Sequence, residues 1–329
     1  MGLKSKESPK ILIDFLNYLI AIKGYSFNTV KNYYIDLMIY FKFLKQYLEI
    51  KINIKDFNVF ILANIKEHVI IAFLVYLNFH RDNTAQTRQR RLSSVRTFYK
   101  WLLNNYPPFN TQENPTAHIA NIEPIIRLPK YLNLDQARKI QTIFTKENSK
   151  FPERNNMIIA LFLHTGLRLS ELVNLDIKDI DFNRNIIRII GKGNKERTVY
   201  IDKVLRKKLK EYLNIRNKNQ KVVSVNDALF MSYQGKRLGI DGVADVCEKA
   251  YKLMGLEDYG YTTHTLRHTA GTLIYKKTKD LLILKEFLGH KQLSTTEIYS
   301  HMINDELKDA VDKNPLNEIA TKVVFEKTA

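Results

Sequence analysis

The sequence has a single cysteine, Cys247, among 329 residues, so no internal disulfide can form and a reducing compartment suits the chain. It also lacks an apolar run of the about 20 residues that a membrane-crossing helix requires. The longest early candidate, "ILIDFLNYLIAI" at 11–22, is broken by Asp14 and Asn17. Lys4, Lys6 and Lys10 precede it as in a signal peptide, but "KGYS" follows where small residues should mark a cleavage site. The run therefore reads as an amphipathic helix, and the protein as cytoplasmic with no membrane partner. Internal repeats and low-complexity tracts are missing too, which argues against a repeat array. Acidic residues are scarce: 34 Asp and Glu face 52 Lys and Arg, a formal charge of +18. That surplus points to a polyanionic partner, nucleic acid before membrane.

What is present fits a folded protein of two domains. Hydrophobic residues make up 45% of the chain, too many for a disordered one, and 329 residues suffice for two cores. From Leu12 to about Leu103 apolar residues recur at helical spacing, as in Leu12, Phe15, Leu16 and Leu19, then Tyr33, Leu37, Tyr40, Phe41 and Leu44. Asn83 and Thr84 are candidate caps for a helix in which basic Arg88, Arg91 and Lys100 alternate with core-type Leu92, Val95, Phe98 and Leu102. Such a helix is either a solvated surface or a DNA-facing one, and the net charge favours DNA. Prolines 107, 108, 115, 124 and 129 then mark a linker. The expected division is a helical domain at 1–105, a linker at 106–130 and a second domain at 131–329. In the second, "LDQARKIQTIF" and "ERNNMIIALFLHTGLRLSELVNL" are helical, while "NIIRIIGKGNKERTVYI" at 185–201 reads as strands around a Gly-Lys-Gly turn. The fold class is mainly α, with a small antiparallel sheet inside the second domain.

The stretch "HTLRHT" at 264–269 places His264, Arg267 and His268 close together on a helix. Two histidines at i and i+4 could ligate zinc, but no third ligand accompanies them and the H-E-x-x-H pattern is absent. "GKG" resembles part of a phosphate-binding loop, yet the full pattern needs glycine at Ile186 and Ser or Thr at Gly193. Neither a metal nor a nucleotide cofactor is expected. A phosphate grip fits better: Thr262 or Thr263 can cap the helix, leaving free N–H groups and its positive end beside His264 and Arg267. Arg168 follows Gly166 in "HTGLRLSEL", with Glu171 three residues on to orient its guanidinium; alone, such a pair is more often a surface salt bridge than a catalytic device.

Together these motifs resemble the tyrosine site-specific recombinases of the phage integrase family, and among them the Xer type. Arg168 and Glu171 stand in "HTGLRLSEL", Lys192 in "IIGKGNKERTV", His264 and Arg267 in "HTLRHT", His290 in "FLGH" and Tyr299 in "LSTTEIYSHM". Order and intervals match the family, and "SFNTVKNYYIDL", "RLSSVRTFYKWL", "NP" and "LPKYL" agree more loosely. One departure is that "KKTKDLLILKEFLGH" lacks the glycine-containing turn usual before that helix.

The resemblance implies a two-domain clamp on duplex DNA, a SAM-like helical core-binding domain joined to a mixed α/β catalytic domain. It implies that Tyr299 attacks a phosphodiester to give a 3′-phosphotyrosyl bond and a free 5′-hydroxyl. Arg168 and Arg267 would offset the charge of the transition state, Lys192 would protonate the leaving oxygen, and His264 and His290 would serve as proton acceptor and phosphate ligand. His268 and His301 match no catalytic position. Thr29, Lys31, Arg88, Arg91, Arg96, Lys195 and Arg197 are candidate DNA contacts. Apolar residues beyond the tyrosine, Leu307, Val311, Leu316, Ile319, Val323 and Val324, form a tail that either folds on its own domain or docks on the next protomer. The resemblance favours the second, giving a dimer on one site and a tetramer in the synapse. An accessory protein or partner recombinase stays open. The absence of an extra amino-terminal arm-binding domain favours Xer-like dimer resolution over integration or excision of a mobile element. A type IB topoisomerase and a non-catalytic DNA-binding protein are the remaining alternatives.

Overall fold

The computed structural model describes residues 7–107, 113–123, 129–191, 196–219 and 227–289. The chain divides into two compact units, Met1–Arg127 and Leu128–Ala329.

The first unit is helical: α1 (Lys10–Ala21), α2 (Phe27–Tyr47), α3 (Val59–Ala63), α4 (Glu67–Phe79) and α5 (Ala85–Asn105). Ser26 caps α2, its Oγ accepting the Thr29 N–H at 3.3 Å, and Thr84 caps α5 by accepting the Thr87 N–H at 3.3 Å. Each cap satisfies a backbone donor that the first helical turn cannot. Phe15, Phe41, Phe98 and Leu102 are buried on the facing sides of α1, α2 and α5, so the 3.6-residue spacing becomes one aromatic-rich core. Within it Tyr40 and Tyr99 share a hydroxyl hydrogen bond of 2.9 Å. Burial of Asp36 costs free energy, offset by Ser94 Oγ at 2.8 Å and by Arg90 and Arg91, which tie α2 to α5.

The proline-rich segment behaves differently from free chain. Ile119 and Ile122 pack against the first core, and Gln89 on α5 accepts the Ile122 N–H at 2.7 Å. Arg96 donates to the Ile119 carbonyl and to Asn121. This strap has no periodicity, so only tertiary contacts reveal that it adheres to α5.

The second unit contains α6 (Leu134–Ile140), α7 (Pro152–Thr165), α8 (Leu169–Val173), β1 (Ile180–Asp181), β2 (Ile186–Ile190), β3 (Glu196–Tyr200), α9 (Lys203–Asn219), α10 (Ile240–Leu253), α11 (Thr263–Thr278) and α12 (Leu281–Leu288). The strands form one antiparallel sheet in the order β1-β2-β3, with Ile189 opposite Arg197. Alternation buries Ile187, Ile189 and Val199. Helix α7 is apolar nearly all round and packs against both α9 and α11. Cys247 is buried in this core, where desolvation pushes its thiol up to about 12 and leaves it unreactive. The fold is thus mainly helical with a small three-stranded sheet. No described helix is long and apolar enough to cross a membrane.

The turn before α12, where glycine is usual, is closed by Lys279 at φ 58°. Its N–H bonds the Tyr275 carbonyl at 2.8 Å, and Asp280 Oδ1 caps α12 by accepting from Leu282 N at 2.7 Å. A left-handed lysine carries a Cβ penalty that glycine avoids. Lys279→Gly is therefore expected to raise stability by about 0.5–1 kcal/mol, read as an increased urea midpoint; a lowered midpoint would contradict this account.

Candidate active site

Four helix ends build the site. Helix α7 stops at Gly166, φ 59°, where a Cβ would lie 3.0 Å from both Leu288 Cδ2 and Phe287 Cε1 of α12. Only a glycine meets the backbone conformation and the close approach together. The chain then turns through buried Leu167 into Arg168, the residue that precedes α8. The Arg168 N–H donates to Glu171 Oε2 at 2.8 Å, and its Nη1 donates to Glu171 Oε1 at 2.8 Å. Its Nη2 donates to the Gly289 carbonyl at 3.2 Å.

Glu171 is buried, which pushes its carboxyl up, but the Arg168 N–H, the Arg197 charge and the Arg168 guanidinium outweigh burial and hold it below 4.5. It is therefore a carboxylate at neutral pH.

Arg267 enters from α11 and is buried. Its Nη1 donates to the Gly166 carbonyl, and its Nη2 donates to the Leu288 carbonyl at 2.6 Å. Both carbonyls lie at helix C-termini, where a cation is favoured. Arg168 and Arg267, ninety-nine positions apart in sequence, thus bond to the adjacent carbonyls of Gly289 and Leu288. Both guanidinium groups are anchored on main-chain carbonyls that are neighbours in sequence.

His264 lies in the first turn of α11 and is exposed. Burial of part of the ring, then the charges of Arg267 and Arg168, lower its pKa from 6.5, so it is neutral at pH 7 and able to accept a proton. His268, one turn on, is pushed down to about 4 by burial and by the charges of His264 and Arg267. Both depressed values favour the neutral folded state, and an unfolded chain takes up protons first as pH falls. Stability should therefore decline between pH 6.5 and about 4, with no further loss from His268 below that. His268→Gln should flatten this decline in urea titrations; an unchanged slope would exclude His268 as its source.

Of the expected site residues, Arg168, Glu171, His264 and Arg267 come together. Lys192, His290 and Tyr299 lie outside the described residues, as do Lys195, His301 and the tail. Thr29 lies in the first turn of α2 and Lys31 in the second, with Thr29 Oγ1 2.9 Å from Ser26 Oγ and Lys31 exposed. The guanidiniums of four arginines on α5 are engaged within the unit: Arg88 with Asn78 and the Asn83 carbonyl, Arg90 with Asp36, Arg91 with Asn83 and Asp36, and Arg96 with the strap. Arg90 and Lys100 are exposed on the same helix. A helix periodicity averaged over α5 could not tell these arginines apart, because their partners come from other segments. Arg197 bonds Glu171 Oε2 at 2.7 Å, a tie that sequence reasoning missed because twenty-six positions separate the two.

The comparisons agree with this architecture. Residues 130–306 match the Phage integrase family, and residues 12–105 match the phage integrase N-terminal SAM-like domain. Tyrosine recombinase XerC of Caldanaerobacter subterraneus subsp. tengcongensis is 36% identical over 325 residues, covering 96% of this chain and 90% of that protein. Tyrosine recombinase XerD of Oceanobacillus iheyensis is 31% identical over 301 residues, covering 90% of this chain and 95% of that one. Among solved structures, the XerH site-specific recombinase bound to difH substrate in a pre-cleavage complex matches with a TM-score of 0.66 and 26% identity, covering 91% of this chain and 83% of that one. The chain belongs to the phage integrase family, as a tyrosine recombinase. It is an enzyme of site-specific recombination that breaks and rejoins DNA.

Proposed function

We propose that Tyr299 is the nucleophile and that Arg168 and Arg267 are the phosphate clamp of this enzyme. The Tyr299 oxygen bonds to phosphorus as the bond from phosphorus to the 5′-oxygen breaks, leaving a 3′-phosphotyrosyl enzyme and a 5′-hydroxyl. The phenolic proton passes to His264, Lys192 protonates the departing oxygen, and His290 bonds a non-bridging phosphate oxygen. Water and ATP are not consumed, because the phosphoryl bond is conserved in the protein adduct and reversal by a partner strand rejoins DNA. The observation that carries this reading is the anchoring of two guanidinium groups on the neighbouring carbonyls of Leu288 and Gly289, with His264 inside the field of both. A guanidinium fork matches the geometry of a phosphoryl group that gains negative charge on its non-bridging oxygens.

The DNA partner is a duplex recombination site, bound through Thr29, Lys31, Lys195 and the exposed Lys100. Arg88, Arg91 and Arg96 add positive field from inside the frame. The protein works in a reducing cytoplasm, as a dimer on each site and a tetramer in the synapse, joined through the tail. Removing residues after Pro315 should leave DNA binding intact and impair recombination; native synapsis by the shortened chain would refute the role of the tail.

The biological task is Xer-type resolution of replicon dimers. Similarity to recombinases named XerC and XerD over nine-tenths or more of this chain supports that task. Sequencing DNA trapped covalently on the native chain in cells tests it. Adducts at one resident site per replicon are expected. Adducts at the ends of a segment that moves would instead assign the enzyme to a mobile element.

A further inference from the structure

We propose that Arg197 is a positioning residue for Arg168, acting through Glu171 and Gly289; the proposal rests on the reading of Arg168 as part of the phosphate clamp. The Arg168 side chain is 40% exposed, so packing alone does not fix its guanidinium. Its place is set by two polar ties, to Glu171 Oε1 at 2.8 Å and to the Gly289 carbonyl at 3.2 Å. Arg197 braces both.

On one side, Arg197 Nη2 donates to Glu171 Oε2 at 2.7 Å, the same oxygen that accepts the Arg168 N–H at 2.8 Å. The Glu171 side chain is 4% exposed, so water cannot readily replace a lost donor. Donors on both oxygens hold the carboxylate in one orientation, and that orientation aims Oε1 at Arg168. On the other side, the Arg197 side chain lies against Gly289, φ 63°, where an added Cβ would overlap its guanidinium and come within 3.0 Å of its Cδ. The glycine that receives Arg168 through its carbonyl therefore receives Arg197 against its Cα.

Arg197 is suited to this task by its backbone. It is in β3, paired with Ile189 of β2 in a sheet whose buried face joins the core of the second unit. A guanidinium presented from a paired strand is better fixed than one presented from a loop. The side chain is only 20% exposed, which makes it a poor contact for a DNA backbone.

Single-turnover cleavage of a suicide duplex at saturating enzyme, with DNA Kd measured in parallel, tests the proposal in the full chain. Arg197→Gln should slow covalent adduct formation by about 10–100-fold, the scale of an ångström-sized displacement of a reacting group, with Kd within about threefold of native. Arg197→Lys should recover part of the rate, since an ammonium can still reach Glu171. The deciding substrate carries a methylphosphonate at the scissile position, which removes the charge that Arg168 offsets. There the deficits of Arg197→Gln and Arg168→Ala should both shrink to about threefold or less. Three results would overturn the proposal: a native rate for Arg197→Gln, a loss of rate matched by a loss of DNA binding, or an undiminished deficit on methylphosphonate. Should Arg197→Gln fail to fold by thermal melt, Arg197→Lys undergoes the same comparison. An undiminished Arg168→Ala deficit on methylphosphonate would instead remove the clamp reading, and with it this one.

Discussion

Tyr299→Phe should form no covalent adduct with a suicide duplex while binding it as tightly as the native chain does. The substitution removes one oxygen, the atom proposed to bond phosphorus, and no other group substitutes for it at neutral pH. Other tyrosines are numerous, but several are poor nucleophiles by environment. Tyr40, Tyr99 and Tyr251 are buried, and desolvation drives each phenol well above its ordinary value of 10.0. Burial likewise pushes Tyr212 up to about 12. Denaturing gels of radiolabelled substrate provide the measurement, and an adduct from Tyr299→Phe at the native rate would place the nucleophile elsewhere. Relaxation of a plasmid that carries no recombination site separates site-specific cleavage from a topoisomerase habit: the native chain should leave its supercoils unchanged.

Arg267→Lys is expected to lower the cleavage rate by about 10³-fold or more, the scale a positioned arginine contributes to phosphoryl transfer. Lysine retains the charge and loses the planar fork. One ammonium cannot reproduce the bonds that the Arg267 guanidinium makes to both the Gly166 and Leu288 carbonyls and also fill the proposed phosphate role. Each carbonyl left unmatched in this buried place adds about 1–3 kcal/mol of destabilisation, so Arg267→Lys should also melt earlier than native. Arg168→Lys should show a comparable loss of rate with a smaller change in melting, because that side chain is partly exposed. Comparing the two variants in single-turnover cleavage and thermal melts checks this contrast. Native cleavage by either would sink the paired clamp.

The pattern of the helical parts was legible because burial imposes a period on sequence. Phe15 and Leu19 of α1 and Leu92, Val95, Phe98 and Leu102 of α5 recur at helical spacing and are buried. The strand signal at 185–201 rested on β-rich runs around a Gly-Lys-Gly turn, and it yielded β2 and β3 but not the two-residue β1, too short to leave such a run. The strap at 113–123 left no such mark. Its bonds to Gln89 and Arg96 depend on which atoms meet after the chain has folded back.

By itself the sequence determined the residue types of the site, their order and the family, since motifs such as "HTGLRLSEL" and "HTLRHT" are local strings whose chemistry travels with them. Tertiary structure alone decided which groups share a partner. It placed Arg168 and Arg267 on adjacent carbonyls, turned Arg197 toward Glu171, and occupied the guanidiniums of Arg88, Arg91 and Arg96 within the first unit. The physical reason is that a hydrogen bond requires two atoms within about 3 Å and aligned, a condition set by packing between distant segments and invisible to any local period.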